Sequence, residues 1–426
     1  MWIGIDDTDS PAGMCTTYLG AVLVRQLERS GMRVVDARLV RLNPNVIHKT
    51  RGNAAICIEA EGDAEAAFEL ARACVEALAE FGAPATNPGV VVTEVRPPPD
   101  FYYAALRDFC TVEEAVGVLE SVGALYRGYK NRRGLIGATA AVAGDLPDRT
   151  YELLAYRRRE AWGTPRQVDR ASLFRAEEAT YPRTWDTVDR ANDVVVCVPH
   201  TPDPVLFGIR GESPAAVREA RSHVRSEEPA CEQVYTTNQG TDAHLVPGTI
   251  GTLREGRSYL VRGTVAGEPA TGIGGHVSFV LADGEQEVRC MAYEPTKGFR
   301  DVVRALVPGD LVAAAGSYKG GSLNLEKLGI CRLADAVRVR PPLCPACGKR
   351  MTSAGAGKGY KCRACSARSR EPEVERFERR ISPGWYEVPP TARRHLARPL
   401  VRGIPAWEEA LLRSGGECGR KPSPVN

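Results

Sequence analysis

The sequence predicts a multidomain α+β protein whose C-terminal part is a small β-barrel followed by a metal-binding ribbon. Three observations carry this reading. Strand-like and helix-like runs alternate over the first 130 residues; five short strand-like runs with one helical piece fill residues 250–338; and two C-x-x-C pairs follow at Cys344–Cys347 and Cys362–Cys365. A chain of 426 residues, 43% hydrophobic and 26% charged, has the length and composition of several packed domains.

Residues 1–130 open with an apolar strand, Trp2–Ile5. Thr16–Glu28 has helical periodicity, with Leu19, Val22, Leu23, Gln26 and Leu27 repeating at three and four. Val34–Leu42 and Ala54–Glu59 read as strands, Ala64–Phe81 as an Ala-rich helix, and Val90–Val95 as a strand stopped by Pro97-Pro98-Pro99. Residues 131–246 begin again at Leu135–Val142. They continue with strand-like Val194–Pro199, Val205–Arg210 and Gln233–Thr237 and helical Pro214–Val224, a mixture expected of a ferredoxin-like layer of helices on an antiparallel sheet.

Residues 250–338 carry strand-like Tyr259–Ala266, His276–Leu281, Glu287–Ala292, Leu311–Ser317 and Leu323–Ile330, with helical Phe299–Leu306 between the third and fourth. That is the OB-fold pattern. Residues 340–370 form the ribbon, and residues 371–426 a basic extension with Arg393–Arg402 expected as a short basic helix and the last dozen residues as disordered.

The paired cysteine knuckles, fourteen residues apart, can present four thiolates to one tetrahedral ion, so Cys344, Cys347, Cys362 and Cys365 are the expected ligands of a structural Zn²⁺. Sulfur fills every position, which makes the site closed and non-catalytic. Other cysteines, among them Cys57, Cys74, Cys110, Cys197, Cys290 and Cys331, read as buried small hydrophobes and not as disulfides.

The strongest chemical signal lies at the start: Asp6-Asp7-Thr8-Asp9-Ser10, then Gly13-Met-Cys-Thr16-Thr17. Carboxylates crowded at a strand end repel one another unless a cation neutralises them. They suit Mg²⁺, which takes oxygen ligands and bridges to phosphates. The Gly13–Thr17 run opens a helix, where backbone N–H groups seat phosphate, although both threonines could simply cap it. A second polar concentration spans Asn43-Pro-Asn45 and His48-Lys49-Thr50-Arg51-Gly52-Asn53, where Lys49 and Arg51 suit a nucleotide-phosphate clamp. Gly134-Leu-Ile-Gly137 and Tyr235 through His244 are weaker, the latter polar enough to line a small-molecule or RNA pocket.

The net charge of +3 does not by itself argue for nucleic acid, but Arg clusters at Arg127–Arg133, Arg157–Arg159, Arg338–Arg350 and Arg376–Arg402 suit phosphate recognition. No run of about eighteen apolar residues exists, so no membrane span is expected. The acidic N-terminus is not a signal peptide, and the expected location is cytoplasmic. There is no G-x-x-x-x-G-K-[ST] run and no protein-kinase motif set, so any ATP site is of another kind.

Together these residues resemble the archaeal isoleucine-tRNA 2-agmatinylcytidine synthetase family, TiaS. The resemblance runs through Gly4–Ser10, Gly13–Tyr18, Arg41–Asn45, Lys49–Asn53, Gly134–Ala138, Tyr235–His244 and the cysteine knuckles; His48 stands where the family's run carries Trp. It implies a kinase-like domain, a ferredoxin-like domain, an OB-fold and a zinc ribbon. It also implies an ATP-dependent ligase that phosphorylates the 2-carbonyl of the wobble cytidine of the minor isoleucine tRNA (anticodon CAU) and displaces the phosphate with agmatine. ATP goes to AMP, and the anticodon then reads AUA instead of AUG. The resemblance makes Asp6, Asp7, Asp9 and Thr16 catalytic, Thr16 being the autophosphorylated threonine, with Mg²⁺ on Asp6 and Asp7. Thr8, Ser10, Thr17, Asn43, Asn45, Lys49, Thr50, Arg51, Gly52, Asn53 and Asp242 would bind ATP or substrate, Asp242 as a candidate seat for dicationic agmatine. Two alternatives stand beside it: a non-catalytic RNA- or single-stranded-DNA-binding protein built on barrel and ribbon, and an ATP-dependent enzyme of free nucleosides or polyamines.

Overall fold

The computed structural model describes residues 1–50 and 52–413. Its N-terminal half is organised by one nine-stranded sheet. The strands and helices are β1 (Trp2–Asp6), α1 (Thr16–Arg29), β2 (Arg33–Arg41), β3 (Ala54–Glu61), α2 (Ala64–Leu78), β4 (Gly89–Thr93), α3 (Asp100–Arg107), α4 (Val112–Ser121), β5 (Leu125–Gly128), α5 (Gly134–Ala143), β6 (Thr150–Tyr156), α6 (Arg170–Thr180), β7 (Thr184–Trp185), β8 (Val188–Asp189), β9 (Val194–Val195), β10 (Val205–Gly211), α7 (Pro214–His223) and β11 (Cys231–Thr237). The order across the sheet is β5-β4-β1-β3-β2-β11-β6-β10-β7. All neighbours are antiparallel except β2 and β11, which run parallel at Arg38–Thr236 and Leu39–Thr237 and join the two halves edge to edge.

Strand alternation decides what each face packs. Ile3 and Ile5 of β1 lie under α1 and α2 with Leu19, Leu23 and Leu27, all fully buried. Each such side chain contributes roughly 1.5–3 kcal/mol by leaving water. Gly4, pointing the other way, meets α5: a Cβ there would run into the carbonyl of Ala138. The small residues of α5 let this helix, buried except at Ile136, lie directly on β1 and β4, with Leu135, Ala138 and Val142 in a core shared with α3 and α4. So Gly134–Ala143, where the second domain was expected to begin, packs with the first half of the sheet. In the second half, Leu153, Ala155, Phe207 and Ile209 pack beneath α6 and α7. Strand-like Val194–Pro199 shortens to β9, and α3, α4, α6, β5 and β6 are elements the sequence reading did not single out.

The barrel consists of β12 (Leu245–Gly248), β13 (Arg257–Val265), β14 (Ala270–Thr271), β15 (Val277–Asp283), β16 (Gln286–Ala292), α8 (Phe299–Arg304), β17 (Leu311–Lys319) and β18 (Ser322–Arg332). Five strands close on themselves: β13 pairs with β15, β15 with β16, β16 with β18 in parallel, β18 with β17, and β17 with β13. A two-stranded stalk, Val337–Arg340 with Glu373–Arg376, carries the ribbon, whose three short strands are Thr352–Ser353, Tyr360–Lys361 and Arg368–Ser369. Gly384–Glu387 then adds to the edge of β18.

The segment after it is not the expected basic helix. Arg393–Arg402 runs back across the molecule as a strap with a turn closed by the Ala397 N–H donating to the Arg394 carbonyl at 3.0 Å and a 3-10 turn at Leu400–Arg402. Its carbonyls at His395 and Leu396 accept from the N–H groups of Gly240, Thr241 and Asp242, at 2.8, 3.1 and 2.8 Å. Leu396 is buried in the core of α3 and α5. The expected disordered tail lies outside the described residues. Among the described residues no cysteine is in a disulfide, although Cys110, Cys197 and Cys331 are half-buried rather than buried, and no helix is long and apolar enough to cross a membrane.

Candidate active site

At the end of β1 the chain leaves the sheet and lays its carboxylates along the wall of a cavity of about 410 Å³. Asp6 lies against the first turn of α5, and any side chain at Gly137 would overlap its carboxylate. This explains Gly137, whereas a Cβ at Gly134 would run into the backbone of Gly89 and Asn87. Burial, and then the like charges of Asp7 and Asp9, push the Asp6 carboxyl well above its ordinary range. Asp7 takes a left-handed backbone, φ 57°, a conformation Asp tolerates better than most residues. Its carboxylate accepts from Arg133 Nη2 at 2.9 Å, and burial raises its pKa despite that partner. Arg133 is itself held by the carbonyl of Ala85 at 2.6 Å. Asp9 also lines the cavity.

Ser10 and Gly13 close a tight turn through reciprocal backbone bonds of 3.1 and 3.3 Å, which aims α1 at the same cavity. Cys15 occupies the N-cap position with no side-chain cap bond. Thr16 is therefore not the cap: its hydroxyl accepts from Thr8 Oγ1 at 3.0 Å and lines the cavity beside Cys15 and Thr17. Tyr235 of β11 donates to the carbonyl of Thr17 at 2.6 Å, so the second half of the sheet fixes the start of α1. Thr8 and Ser10 support this turn from behind and are not among the lining residues.

The loop between β2 and β3 divides in two. Lys49, Thr50, Gly52 and Asn53 line the cavity. Arg51 lies outside the described residues. Asn43 and Asn45 do not line it; they are buried anchors to the barrel. Asn43 Nδ2 donates to the carbonyls of Asp108 (3.0 Å) and Gly256 (3.1 Å), and Asn45 Nδ2 to Ser258 Oγ (3.3 Å). Lys49 donates to the carbonyl of Pro44, and burial with Arg394 and Lys319 nearby lowers its pKa.

Asp242 is also away from the cavity. It is buried, paired with Lys327, and accepts from the backbone N–H of Arg398 at 2.8 Å. The run it belongs to is a structural spine. Asn238 Oδ1 accepts from Arg41 N at 2.8 Å, Gln239 Nε2 donates to Glu152 at 2.6 Å, and His244 meets Glu326 at 2.9 Å.

The opposite wall comes from residues the site reading missed. Glu152 and Arg210 project from β6 and β10 on the face away from α6 and α7, and Asp186, Arg41 and His395 complete it. Arg210 Nε donates to Glu152 at 3.2 Å, and Arg393 meets Asp186 at 3.1 Å. A charged residue inside the apolar strand Tyr151-Glu152-Leu153-Leu154 was the available signal for Glu152. Nothing local marks His395. The Arg clusters are largely neutralised: Arg157 is buried on Glu227 at 2.7 Å, and Arg398 and Arg402 share Asp148.

Two sets of metal donors differ in arrangement. The Sγ atoms of Cys344, Cys347, Cys362 and Cys365 all lie within 4.8 Å of one another, the arrangement one tetrahedral Zn²⁺ requires. Among the described residues no other group of three or more donors converges this way. The three aspartates do not. Mg²⁺ keeps waters and takes only one or two carboxylates, completing its shell with phosphate oxygens. The raised, like-charged pair Asp6 and Asp7 fits that demand.

Family models match the chain at residues 2–131 (TiaS TCKD domain), 132–244 (TiaS FLD domain) and 341–381 (TiaS C-terminal zinc ribbon domain). The isoleucine-tRNA 2-agmatinylcytidine synthetase TiaS of Methanocorpusculum labreanum is 54% identical over 403 residues, covering 94% of this chain and 97% of its own. The chain belongs to the TiaS family. A solved complex of TiaS with its isoleucine tRNA and ATP matches with a TM-score of 0.88 at 42% identity, covering 95% of this chain and 98% of that one. A complex of TiaS with the same tRNA, AMPCPP and agmatine matches with a TM-score of 0.85 at 39% identity and the same coverage. The cavity built from Asp6, Thr16 and Lys49 thus belongs to a TiaS-family chain that is matched along nearly its whole length.

Proposed function

We propose that this chain is an ATP-dependent carbon–nitrogen ligase that joins agmatine to carbon 2 of the wobble cytidine of the minor isoleucine tRNA, so that its CAU anticodon reads AUA. The observation that carries this is the single cavity gathering Asp6, Asp7, Asp9, Thr16, Lys49 and Asn53, in a chain 54% identical to a curated synthetase of that activity.

A cytosine carbonyl is a poor electrophile. Transfer of one phosphoryl group from ATP to its oxygen breaks the donor P–O bond and forms a new one, and a second transfer, to the Thr16 hydroxyl, accounts for conversion of ATP to AMP. Agmatine's amine then forms the C2–N bond, phosphate leaves with the electrons of the C2–O bond, and the amine gives up a proton. Phosphoryl transfer is mostly positioning and charge neutralisation. Lys49 and the N–H groups opening α1 meet phosphate oxygens, and Asn53 fixes the loop through Asn43. Asp6 and Asp7 would hold a Mg²⁺ ion, which would supply neutralisation of phosphate charge. Asp9, which lines the cavity and is not assigned to Mg²⁺, is the carboxylate placed to take the amine's proton. Thr16 is the hydroxyl we assign to autophosphorylation.

Residues 1–130 are read as the kinase-like catalytic domain. Residues 131–246 are read as ferredoxin-like, supported by four strands carrying α6 and α7. Residues 250–338 are read as an OB-fold, supported by the strand order in which the third strand meets the fifth. The barrel and the Zn²⁺-bound ribbon hold the tRNA body, and the working compartment is the cytoplasm. Mass analysis of a CAU-anticodon tRNA after incubation with ATP and agmatine tests the reaction: the cytidine gains the agmatine mass, and γ-labelled ATP labels Thr16. A tRNA bound but unaltered, with no label, leaves the RNA-binding alternative.

A further inference from the structure

The cationic strap Arg393–Arg402 has exchanged solvent for carboxylates. Arg393 pairs with Asp186 and Glu387, Arg394 with Glu326, Arg398 with Asp148, and Arg402 with Asp148 and Glu212. Among these strap residues only His395 lines the cavity. Its Nδ1 lies 2.7 Å from Arg210 Nη2. Because guanidinium only donates, Nδ1 must be the acceptor.

The surroundings of His395 are otherwise cationic. Burial, and then Arg41, Arg210 and Lys49, hold its pKa well below the ordinary value, so the ring stays neutral. Gly52 of the polar loop sits against the same two groups: a Cβ there would come within 2.6 Å of Arg41 Nη1 and 3.2 Å of His395 Nε2. Arg41 is pushed down to about 10, by burial first and then by Arg210, although Glu152 opposes this. Its distance from Glu152 is 3.9 Å, too long for a hydrogen bond. On this wall Arg210 pairs with Glu152 at 3.2 Å and lies 3.9 Å from Asp186, while Arg41, 3.9 Å from Glu152, and Lys49 line the same cavity. An Arg fork is the natural donor to a phosphate.

We propose that His395 is a positioning residue that orients Arg210, so that Arg41, Arg210 and Lys49 form a clamp for a substrate phosphate and the C-terminal strap completes the active site begun by Asp6. This rests on the ligase reading for the identity of the substrate. The phosphate belongs either to the nucleotide or to the RNA backbone beside the target base, and the two are separable by experiment.

The test compares His395→Asn, whose Oδ1 can accept where Nδ1 does, with His395→Gln and His395→Ala. In the tRNA reaction, His395→Ala and His395→Gln raise KM for ATP or for tRNA tenfold or more and leave KM for agmatine within twofold, and His395→Asn stays near wild type. A raised ATP KM in tRNA-free labelling assigns the clamp to the nucleotide; a raised tRNA KM alone assigns it to RNA. Where His395→Ala does not fold, the Asn/Gln pair decides. Equal behaviour of Asn and Gln, or an effect on agmatine alone, overturns the proposal. Wild-type enzyme that adds no agmatine overturns the ligase reading instead. Calorimetry with pyrophosphate then still judges His395, with tighter binding for Asn than for Gln expected and equal binding refuting the clamp.

Discussion

Two donor clusters sit at opposite ends of this chain, and only one converges. The four cysteines of the ribbon have their sulfurs within 4.8 Å of one another, whereas Asp6, Asp7 and Asp9 share a cavity wall without meeting at a point. The ribbon has only a small core of Cys344, Met351 and Cys362 with Tyr360 and Ala367 packed on it, so its folding leans on the ion its donors gather around. The aspartates stand on a nine-stranded sheet that needs no ion, and burial first, then the like charges of Asp7 and Asp9, holds the Asp6 carboxyl above its ordinary range. Convergence marks a site that stabilises; unresolved charge marks one that waits for a ligand.

Cys344→Ser or Cys362→Ser breaks the converging cluster and has the largest effect. Structural Zn²⁺ in small domains contributes about 10–16 kcal/mol to their folding. Metal analysis finds the ion lost, and tRNA affinity falls more than tenfold while tRNA-free phosphorylation of Thr16 stays within twofold. Asp6→Asn breaks the other cluster with opposite signs for rate and stability. Activity falls roughly 10³-fold, the scale of one lost electrostatic contact at a reacting centre. The melting temperature rises at pH 7 by about 2–4 °C, the shift of ~1 kcal/mol in a domain of this size. The sign follows from linkage: a carboxyl raised in the folded state favours folding below its unfolded pKa, and that contribution is lost as pH rises. The gain over wild type therefore vanishes below a pH of about 4, which melting curves check.

Arg133→Gln sharpens the comparison by removing the cation that restrains Asp7. Asp7 then protonates at higher pH, and the acid limb of the pH–rate profile moves upward, with a loss of roughly tenfold at neutral pH, about 1.4 kcal/mol. Thr16→Val has the smallest effect on stability. It removes the Thr8–Thr16 bond at about 1 kcal/mol by melting, and abolishes the phosphoryl label without disturbing ATP affinity.

Local pattern carried much of this. β1 with its carboxylates, the helix from Thr16, the barrel strands and the cysteine knuckles were all legible, because period-two burial, 3.6-residue periodicity and fixed ligand spacing are encoded within a few residues. Long-range pairing was not. Asp242, Asn43 and Asn45 read as site residues since polar clusters in loops look alike, whether they face a ligand or bind two modules together. Asp242 turned out to be paired with Lys327, 85 residues away. Glu152, Arg210 and His395 reach the cavity only through strand order and a returning strap, and no local window contains that information. The strap also changes what a truncation means. Removing residues 340–426 takes away His395 with the ribbon, so such a truncation does not separate tRNA binding from nucleotide chemistry.

The pairing of β2 with β11 has a consequence in time. Asp6 is made long before Thr236 and Thr237, which join the second half of its sheet to the first, and its cavity acquires His395 later still. At roughly 5–20 residues per second of synthesis, Asp6 precedes His395 by roughly 20–80 s. During that interval a nascent chain displays its carboxylates with no wall opposite them, and it holds no finished site until the strap has folded back onto the sheet.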